Sequence, residues 1–232
     1  ERTVNKMKIG IIGSGNMGRS LGMLWAEKGH EVFFGSRDSQ KGQAIAQKAG
    51  HGSKGGTNDE AAAFSDVMLY TTRGIMPSTV LSSTDVLAGK VLIDCNNWDI
   101  PEGYAYEPIV ESLAEKLAAD VPHAHVVKAF NTFAIEVFEL SPTPLKDYHV
   151  SCFTCGDNES AKQTVMALAE EIGFVPVDCG ALRSARMLEG LGDFIRFMIG
   201  GMKLGSFATI SVNQLPPAQA QRLGGRQASN LY

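Results

Sequence analysis

What this chain lacks narrows it first. Its 232 residues contain no uncharged apolar run approaching the length of a bilayer crossing, so no transmembrane helix is expected. There is no long basic run and no interleaving of aromatic with basic residues, and the formal net charge is -4, which argues against a nucleic-acid partner. A Gly-x-Ser-x-Gly elbow for a nucleophilic serine is missing. Among the five histidines only His123-x-His125 approaches metal-ligand spacing, and it reads as a surface pair. The four cysteines read as reduced thiols of a cytoplasmic protein, and no secretory leader is expected at the N-terminus. Cys152 and Cys155 form a C-x-x-C, but they fall in an apparent strand, where residues three apart point to opposite faces. A redox pair belongs at a helix N-terminus instead, so neither redox nor metal chemistry is expected there.

What is present is concentrated near the start. Met7 to Gly18 reads MKIGIIGSGNMG: an apolar strand runs straight into Gly-x-Gly-x-x-Gly and then into a helical pattern from Met17 to Lys28. Gly13 and Gly15 permit a tight turn and close backbone approach, Ser14, Asn16 and Met17 complete the loop, and Gly18 lets the helix pack on the strand. The free N–H groups of that helix N-terminus attract a phosphate. Strand, triplet and helix in that order predict a dinucleotide-binding fold.

The dinucleotide is read from the next strand, Glu31 to Gly35. A carboxylate for the adenosine ribose is expected at its end, but Ser36 and Arg37 stand there. A carboxylate would repel a 2′-phosphate, whereas a hydroxyl and a guanidinium fork can bind one, and Lys41 adds a point charge one turn into the following helix. NADP(H) is therefore expected over NAD(H).

Beyond this point strands and helices alternate. Val67 to Thr71, Val91 to Cys95, Val126 to Phe130, His149 to Thr154 and Phe174 to Val177 read as strands. Helical patterns cover Asp59 to Phe64, Tyr106 to Ala118, Glu159 to Ile172 and Ala181 to about Leu204. The expected fold class is α/β, a Rossmann-type, doubly wound, mostly parallel sheet with helices on both faces. Ser141-Pro142-Thr143-Pro144 reads as a linker, dividing an NADP(H)-binding domain over 7–140 from a smaller C-terminal α/β part over 145–205. Residues 206–232, with Pro216-Pro217, read as an arm or tail.

In such a sheet the ligand lies beyond the carboxyl ends of the strands. Those ends carry Thr71-Thr72-Arg73, then Asn96-Asn97-Trp98, then Lys128-Ala129-Phe130-Asn131-Thr132. Thr71, Thr72, Arg73, Asn96, Asn97, Ala129, Phe130 and Asn131 are the candidates for the rest of the dinucleotide site. The three asparagines also suit turns or helix caps. No catalytic acid or base is assigned, because hydride transfer between a nicotinamide and a flavin-like ring needs stacking and positioning more than a protein acid.

The MKIGIIGSGNMG run, Ser36-Arg37, HVVKAFNT (125–132), CGDNESAKQTVMALAEEIGF (155–174) and GALRSARMLE (180–189) together resemble the NADP oxidoreductase, coenzyme F420-dependent family. The same run is similar to the NADPH-binding domain of six-transmembrane metalloreductases. The resemblance covers roughly residues 7–200 and implies NADP(H) held by the glycine loop, Ser36, Arg37 and Lys41. It also implies a deazaflavin or flavin facing the nicotinamide, with coenzyme F420, FMN or FAD as the small-molecule acceptor. Thr71-Thr72-Arg73-Gly74 departs from the apolar, proline-containing loop of deazaflavin reductases. Two other readings stay open: an NADPH-dependent reductase of a small imine or carbonyl, and a non-catalytic NADPH-binding sensor.

The last helical pattern places Met187, Leu188, Leu191, Phe194, Ile195, Met198 and Ile199 on one wide apolar face. It is expected to serve as core or as the seam of a homodimer, and to wall the acceptor pocket. Arg183 and Arg186 at its start are candidates for an anionic tail on the acceptor, or else form a polar helix face.

Overall fold

The computed structural model describes residues 6–215, so of the expected tail over 206–232 only 206–215 is described, and Pro216-Pro217 lies outside the described residues. β1 (Lys8–Ile12) leads through the glycine loop into α1 (Asn16–Glu27), followed by β2 (Glu31–Ser36), α2 (Ser39–Ala49), β3 (Lys54–Thr57), α3 (Asn58–Phe64) and β4 (Val67–Tyr70). A short α4 (Pro77–Val80) precedes β5 (Val91–Asp94), α5 (Leu113–Asp120), β6 (His125–Lys128) and α6 (Pro142–Asp147). β7 (Ser151–Gly156), α7 (Glu159–Glu171), β8 (Val175–Asp178) and α8 (Ala185–Arg196) complete the order. Among the described residues no helix is long and apolar enough to cross a membrane.

The strands form one eight-stranded sheet in the order β3-β2-β1-β4-β5-β6-β7-β8. β1 to β6 are parallel, β7 runs antiparallel to β6, and β8 is parallel to β7. The chain order reverses between β1 and β4, and such a switch point opens a crevice at the strand ends.

Helices cover both faces because buried strands must shed water on both sides. On one face Ile9, Ile11 and Val127 pack with Leu21, Trp25, Val165 and Leu168; on the other, Ile12, Met68, Tyr70 and Leu92 pack with Leu117 and Leu188. α1 buries Gly18, Leu21, Gly22, Trp25 and Ala26, the i, i+3, i+4, i+7, i+8 stripe of an amphipathic helix. Trp25 is fully buried, and its indole N–H donates to Leu168 O at 3.2 Å, tying α1 to α7.

Several local expectations are corrected. β3, KGGT, has no apolar run to betray it, and Gly55 is there because α2 lies directly on it, while a Cβ on Gly56 would meet the Glu60 carboxylate of α3. A Cβ on Gly42 would stand 2.5 Å from Gly56 O, and one on Gly55 would stand 2.2 Å from Gly42 O. The helix read from Tyr106 starts only at Leu113, capped by Ser112, whose hydroxyl accepts from Glu115 N at 3.1 Å. Pro142 opens α6 at its first turn, where its missing N–H costs nothing. The long final helix is α8 only as far as Arg196, followed by a π-helical turn, Phe197–Gly201. Cys152 and Cys155 lie in opposite clusters, one on each face of the sheet, as strand spacing requires.

Candidate functional site

The glycine loop turns at Gly13, whose φ of +102 lies in the region glycine favours. Thr71 Oγ1 lies 3.0 Å from Gly13 O and 3.1 Å from Ile12 O, and its one proton is shared between the two carbonyls, so this hydroxyl clamps the loop from the end of β4. The Thr72 methyl stands 3.2 Å from the point where a Gly13 Cβ would be, so Thr72 also faces the loop. Gly18 allows the close approach of α1, since a Cβ there would stand 2.6 Å from Gly13 O and 2.7 Å from Ile11 Cγ2. Gly15 is different: a Cβ there would meet nothing within 4 Å. It is also the N-cap of α1, with no side-chain cap and no acidic residue in the first turn. The N–H groups of Asn16, Met17 and Gly18 therefore face open space in front of a positive helix end, a cradle that fits a pyrophosphate.

At the end of β2 the buried Ser36 stands 3.2 Å from Ser14 through their hydroxyls, joining β2 to the glycine loop, and accepts from Asp38 N at 3.3 Å. Asp38 caps α2 through Gln40 N. Arg37 and Lys41 are exposed, and neither pairs with a carboxylate among the described residues.

A cleft of about 810 Å³ opens at the carboxyl edge of the sheet. The glycine loop contributes Gly15, Asn16 and Met17, the β4 loop Thr71 and Arg73, the β5 loop Asn96 and Asn97, and the β6 loop Phe130 and Asn131. Ala129 is fully buried, and neither it nor Gly13, Ser14, Gly18 or Thr72 lines the cleft. Arg73 pairs with Asp99 at 3.1 Å across the mouth, both residues exposed. Another wall is Gly192, Ile195, Arg196 and Ile199 of α8 and its π turn. Tyr104, which also lines the cleft, carried no signal in the sequence because it ends a single 3-10 turn, Glu102–Tyr104, too short to show a period.

Hydrogen bonds hold these walls in place. Asn97 Nδ2 donates to Asn131 O at 2.6 Å, and Asn131 Nδ2 donates to Asn97 Oδ1 and Leu188 O, both at 2.8 Å. Gly192 is needed because a Cβ there would stand 2.6 Å from Asn97 Oδ1. Phe130 has φ +62, a left-handed backbone costing on the order of 1 to 3 kcal/mol for a side-chain-bearing residue. Its buried ring, edge-on to Trp25 at 5.8 Å and to Phe174 at 6.4 Å, holds that turn.

Beneath the cleft lies a charge cluster that the sequence did not reveal. Lys128, fully buried, donates through Nζ to Asp94 Oδ2 at 2.8 Å, to Glu189 Oε1 at 2.7 Å and to Asn96 O. The other Glu189 oxygen accepts from Leu113 N at 3.0 Å, the first residue of α5. Burial works against the Lys128 ammonium, but the two facing carboxylates outweigh it and its pKa stands above the ordinary value. Burial likewise pushes the Glu189 carboxyl up, with Lys128 opposing. Burial raises the thiols of Cys95, Cys152 and Cys155 to about 12, which leaves them unreactive at neutral pH.

Arg186 does not face the cleft wall; it forms a fork on Glu115, 2.8 Å at each nitrogen. That guanidinium holds Glu115 down at about 2 from an ordinary 4.5. Because the folded value is depressed, the stabilisation is complete above 4.5 and fades as pH falls toward 2. An Arg186→Gln variant should show a flatter fall in thermal midpoint across that acid window than the wild type.

The family model for NADP oxidoreductases, coenzyme F420-dependent, matches residues 8–98. The F420-dependent NADP reductase of Methanothermobacter thermautotrophicus is 31% identical, the match covering 79% of this chain and 85% of that protein. The chain belongs to the NADP oxidoreductase, coenzyme F420-dependent family. Metalloreductase STEAP3 of Rattus norvegicus is 33% identical over 184 residues, 79% of this chain but 36% of that protein. The chain thus spans about a third of the length of the metalloreductases it matches. A crystal structure from Arthrobacter sp. FB24, provisionally described as an F420-dependent NADP-reductase, superposes with a TM-score of 0.77 at 26% identity, covering 90% of this chain and all of that one. The family is one of NADP-dependent oxidoreductases, and the Rossmann-like α/β fold expected from the sequence is the fold found.

Proposed function

We propose that this protein transfers a hydride between NADP(H) and a flavin or deazaflavin ring, with coenzyme F420, FMN or FAD as the acceptor. The observation that carries the reading is the size and place of the cleft. At about 810 Å³, beside the open helix N-terminus at the switch point, it has room for a nicotinamide riboside and a second ring. When bound, the nicotinamide would give or take the hydride. The chain supplies the cradle: backbone N–H groups at Gly15 to Gly18 for the pyrophosphate, and Arg37 with Lys41 for the 2′-phosphate. Asn97, Phe130, Asn131, Ile195 and Ile199 form walls that hold two rings near the roughly 3 to 3.5 Å reacting distance. In this reading residues 7–140 bind the dinucleotide, and the part over 145–205 closes the acceptor side.

Ser36 orders the loop and Arg37 reads the phosphate. An Arg37→Ala variant should bind NADPH about ten- to a hundredfold more weakly while its NADH affinity stays unchanged, the loss expected for one charge-assisted hydrogen bond. Calorimetry with both cofactors checks it, and equal wild-type affinities for the two would sink the assignment.

Tyr104 gives the imine or carbonyl reading its one foothold, since its hydroxyl is a proton donor on the cleft wall. Anaerobic stopped-flow of the NADPH-loaded protein against riboflavin, FMN, deazaflavin and carbonyl and imine panels separates the readings. Rapid reduction of flavin or deazaflavin is expected. Turnover confined to carbonyls or imines and lost in Tyr104→Phe would favour the second reading, and tight NADPH binding with no turnover would favour a sensor. Met187, Phe194 and Phe197 are exposed along the outer side of α8 and its π turn, and a second copy of the chain is the proposed cover. Analytical ultracentrifugation of wild type and Phe194→Glu tests this dimer.

A further inference from the structure

We propose that Lys128 is a positioning residue whose single buried ammonium fixes two adjoining walls of the cleft, the Asn96–Trp98 loop and α8, and so sets how the nicotinamide ring lies. Its consequence for rate rests on the hydride-transfer reading; its consequence for ring order does not.

The geometry is specific. Nζ donates to the carbonyl of Asn96 and to Asp94 Oδ2 at 2.8 Å. Asp94 Oδ1 in turn accepts from Asn96 N at 3.1 Å and Asn96 Nδ2 at 2.7 Å, so both the backbone and the side chain of Asn96 are held. The same Nζ donates to Glu189 at 2.7 Å, and Glu189 is anchored by Leu113 N at 3.0 Å. Around Glu189 on α8, Leu188 O accepts from Asn131 and Gly192 lies against Asn97. Ile195, Arg196 and Ile199 line the cleft one to three helical turns further along α8 and its π turn. A shift at the clamp is therefore carried rigidly into the wall.

Stability does not account for such a cluster. Well-packed uncharged residues usually serve a buried site as well as or better than an ion pair, because desolvation offsets the attraction. What a cluster of one ammonium and three fixed oxygens supplies and a greasy contact does not is direction. Each carboxylate is also held by backbone or amide donors, Glu189 by Leu113 N and Ala114 N at the start of α5 and Asp94 by Asn96, so each carboxylate facing the ammonium is fixed from two sides.

The test uses a neutral replacement of the cluster, Asp94→Asn with Lys128→Met and Glu189→Gln, checked for fold by circular dichroism. Binding of 2′,5′-ADP reads the adenosine half, and the fluorescence lifetime of bound NADPH reads the order of the nicotinamide. Unchanged 2′,5′-ADP affinity is expected, together with a bound-NADPH lifetime that falls toward the free value. Single-turnover hydride transfer to FMN should slow by about a hundredfold, the usual cost of ångström-scale misplacement. A folded triple variant with wild-type lifetime would overturn the proposal. If the triple variant does not fold, Glu189→Gln alone decides: it keeps Asp94 opposite Lys128 and an acceptor oxygen for Leu113 N–H, loosening only α8. A shortened lifetime in that variant supports the clamp, and an unchanged one overturns it. If the wild type reduces no flavin, the hydride reading fails while the lifetime still decides the role of Lys128.

Discussion

A Gly15→Val variant should fold normally and lose NADPH binding by at least about a hundredfold, because the new side chain fills the space where pyrophosphate meets the helix N-terminus. The structure separates the two effects. Nothing lies within 4 Å of the added Cβ, and Gly15 has φ -71, a backbone any residue adopts, so the substitution meets neither clash nor strain. The neighbouring glycines do not share this property: Gly13 has φ +102, and Gly18 would drive a Cβ into Ile11 and Gly13. Valine at those positions should damage the fold as well as binding. Circular dichroism with fluorescence titration of all three variants checks the contrast. Retained NADPH binding in a folded Gly15→Val protein would show that the loop is only a turn.

Lys128→Met alone should destabilise by roughly 3 to 5 kcal/mol, the cost of leaving buried charge without its partner. For a chain of this length that is a drop of about 6 to 20 °C in thermal midpoint. The loss should shrink on acidification. Glu189 already sits above its ordinary value through burial, and removing the ammonium pushes it higher. A raised acid pKa destabilises most above the folded value, and the deficit disappears as pH falls through that value to the unfolded one. Thermal melts of wild type and variant from neutral pH down to the acid range measure it. A pH-independent difference would mean that packing, and not charge, dominates the site.

The parts of this protein legible in the sequence are those where one local rule acts alone. Strand, glycine loop and α1 follow from the run 7–18 because each glycine there answers a backbone demand. The strand-end candidates Asn96, Asn97, Phe130 and Asn131 come together on the cleft because parallel strands leave all their carboxyl ends on one edge. β3 is hidden because Gly55 answers to α2 and Gly56 to Glu60 of α3, contacts between segments, and not to the strand itself. Tyr104 is invisible because a single 3-10 turn is too short to show a period. The role of Lys128 escaped for a related reason: in the sequence it is a lysine at a strand end, and only packing brings it to Asp94 and Glu189. Of the two readings open for Arg186, the polar helix face is the one found, but the pattern of that face does not reveal that its partner is Glu115, 71 residues away.

The placement of the two tryptophans gives the protein a pair of separate optical reporters. Trp25 is sealed between α1 and α7, where its emission follows the integrity of the core. Trp98 sits half-buried on the cleft wall with the Lys116 ammonium 5.1 Å from its ring centre and Arg196 donating to its carbonyl. Tryptophan emission overlaps the absorption band of a dihydronicotinamide, so a reduced cofactor seated in the cleft would quench Trp98 by energy transfer. A Trp25→Phe protein would then emit from one place only, and the colour of that emission would follow filling and emptying of the cleft without any attached dye.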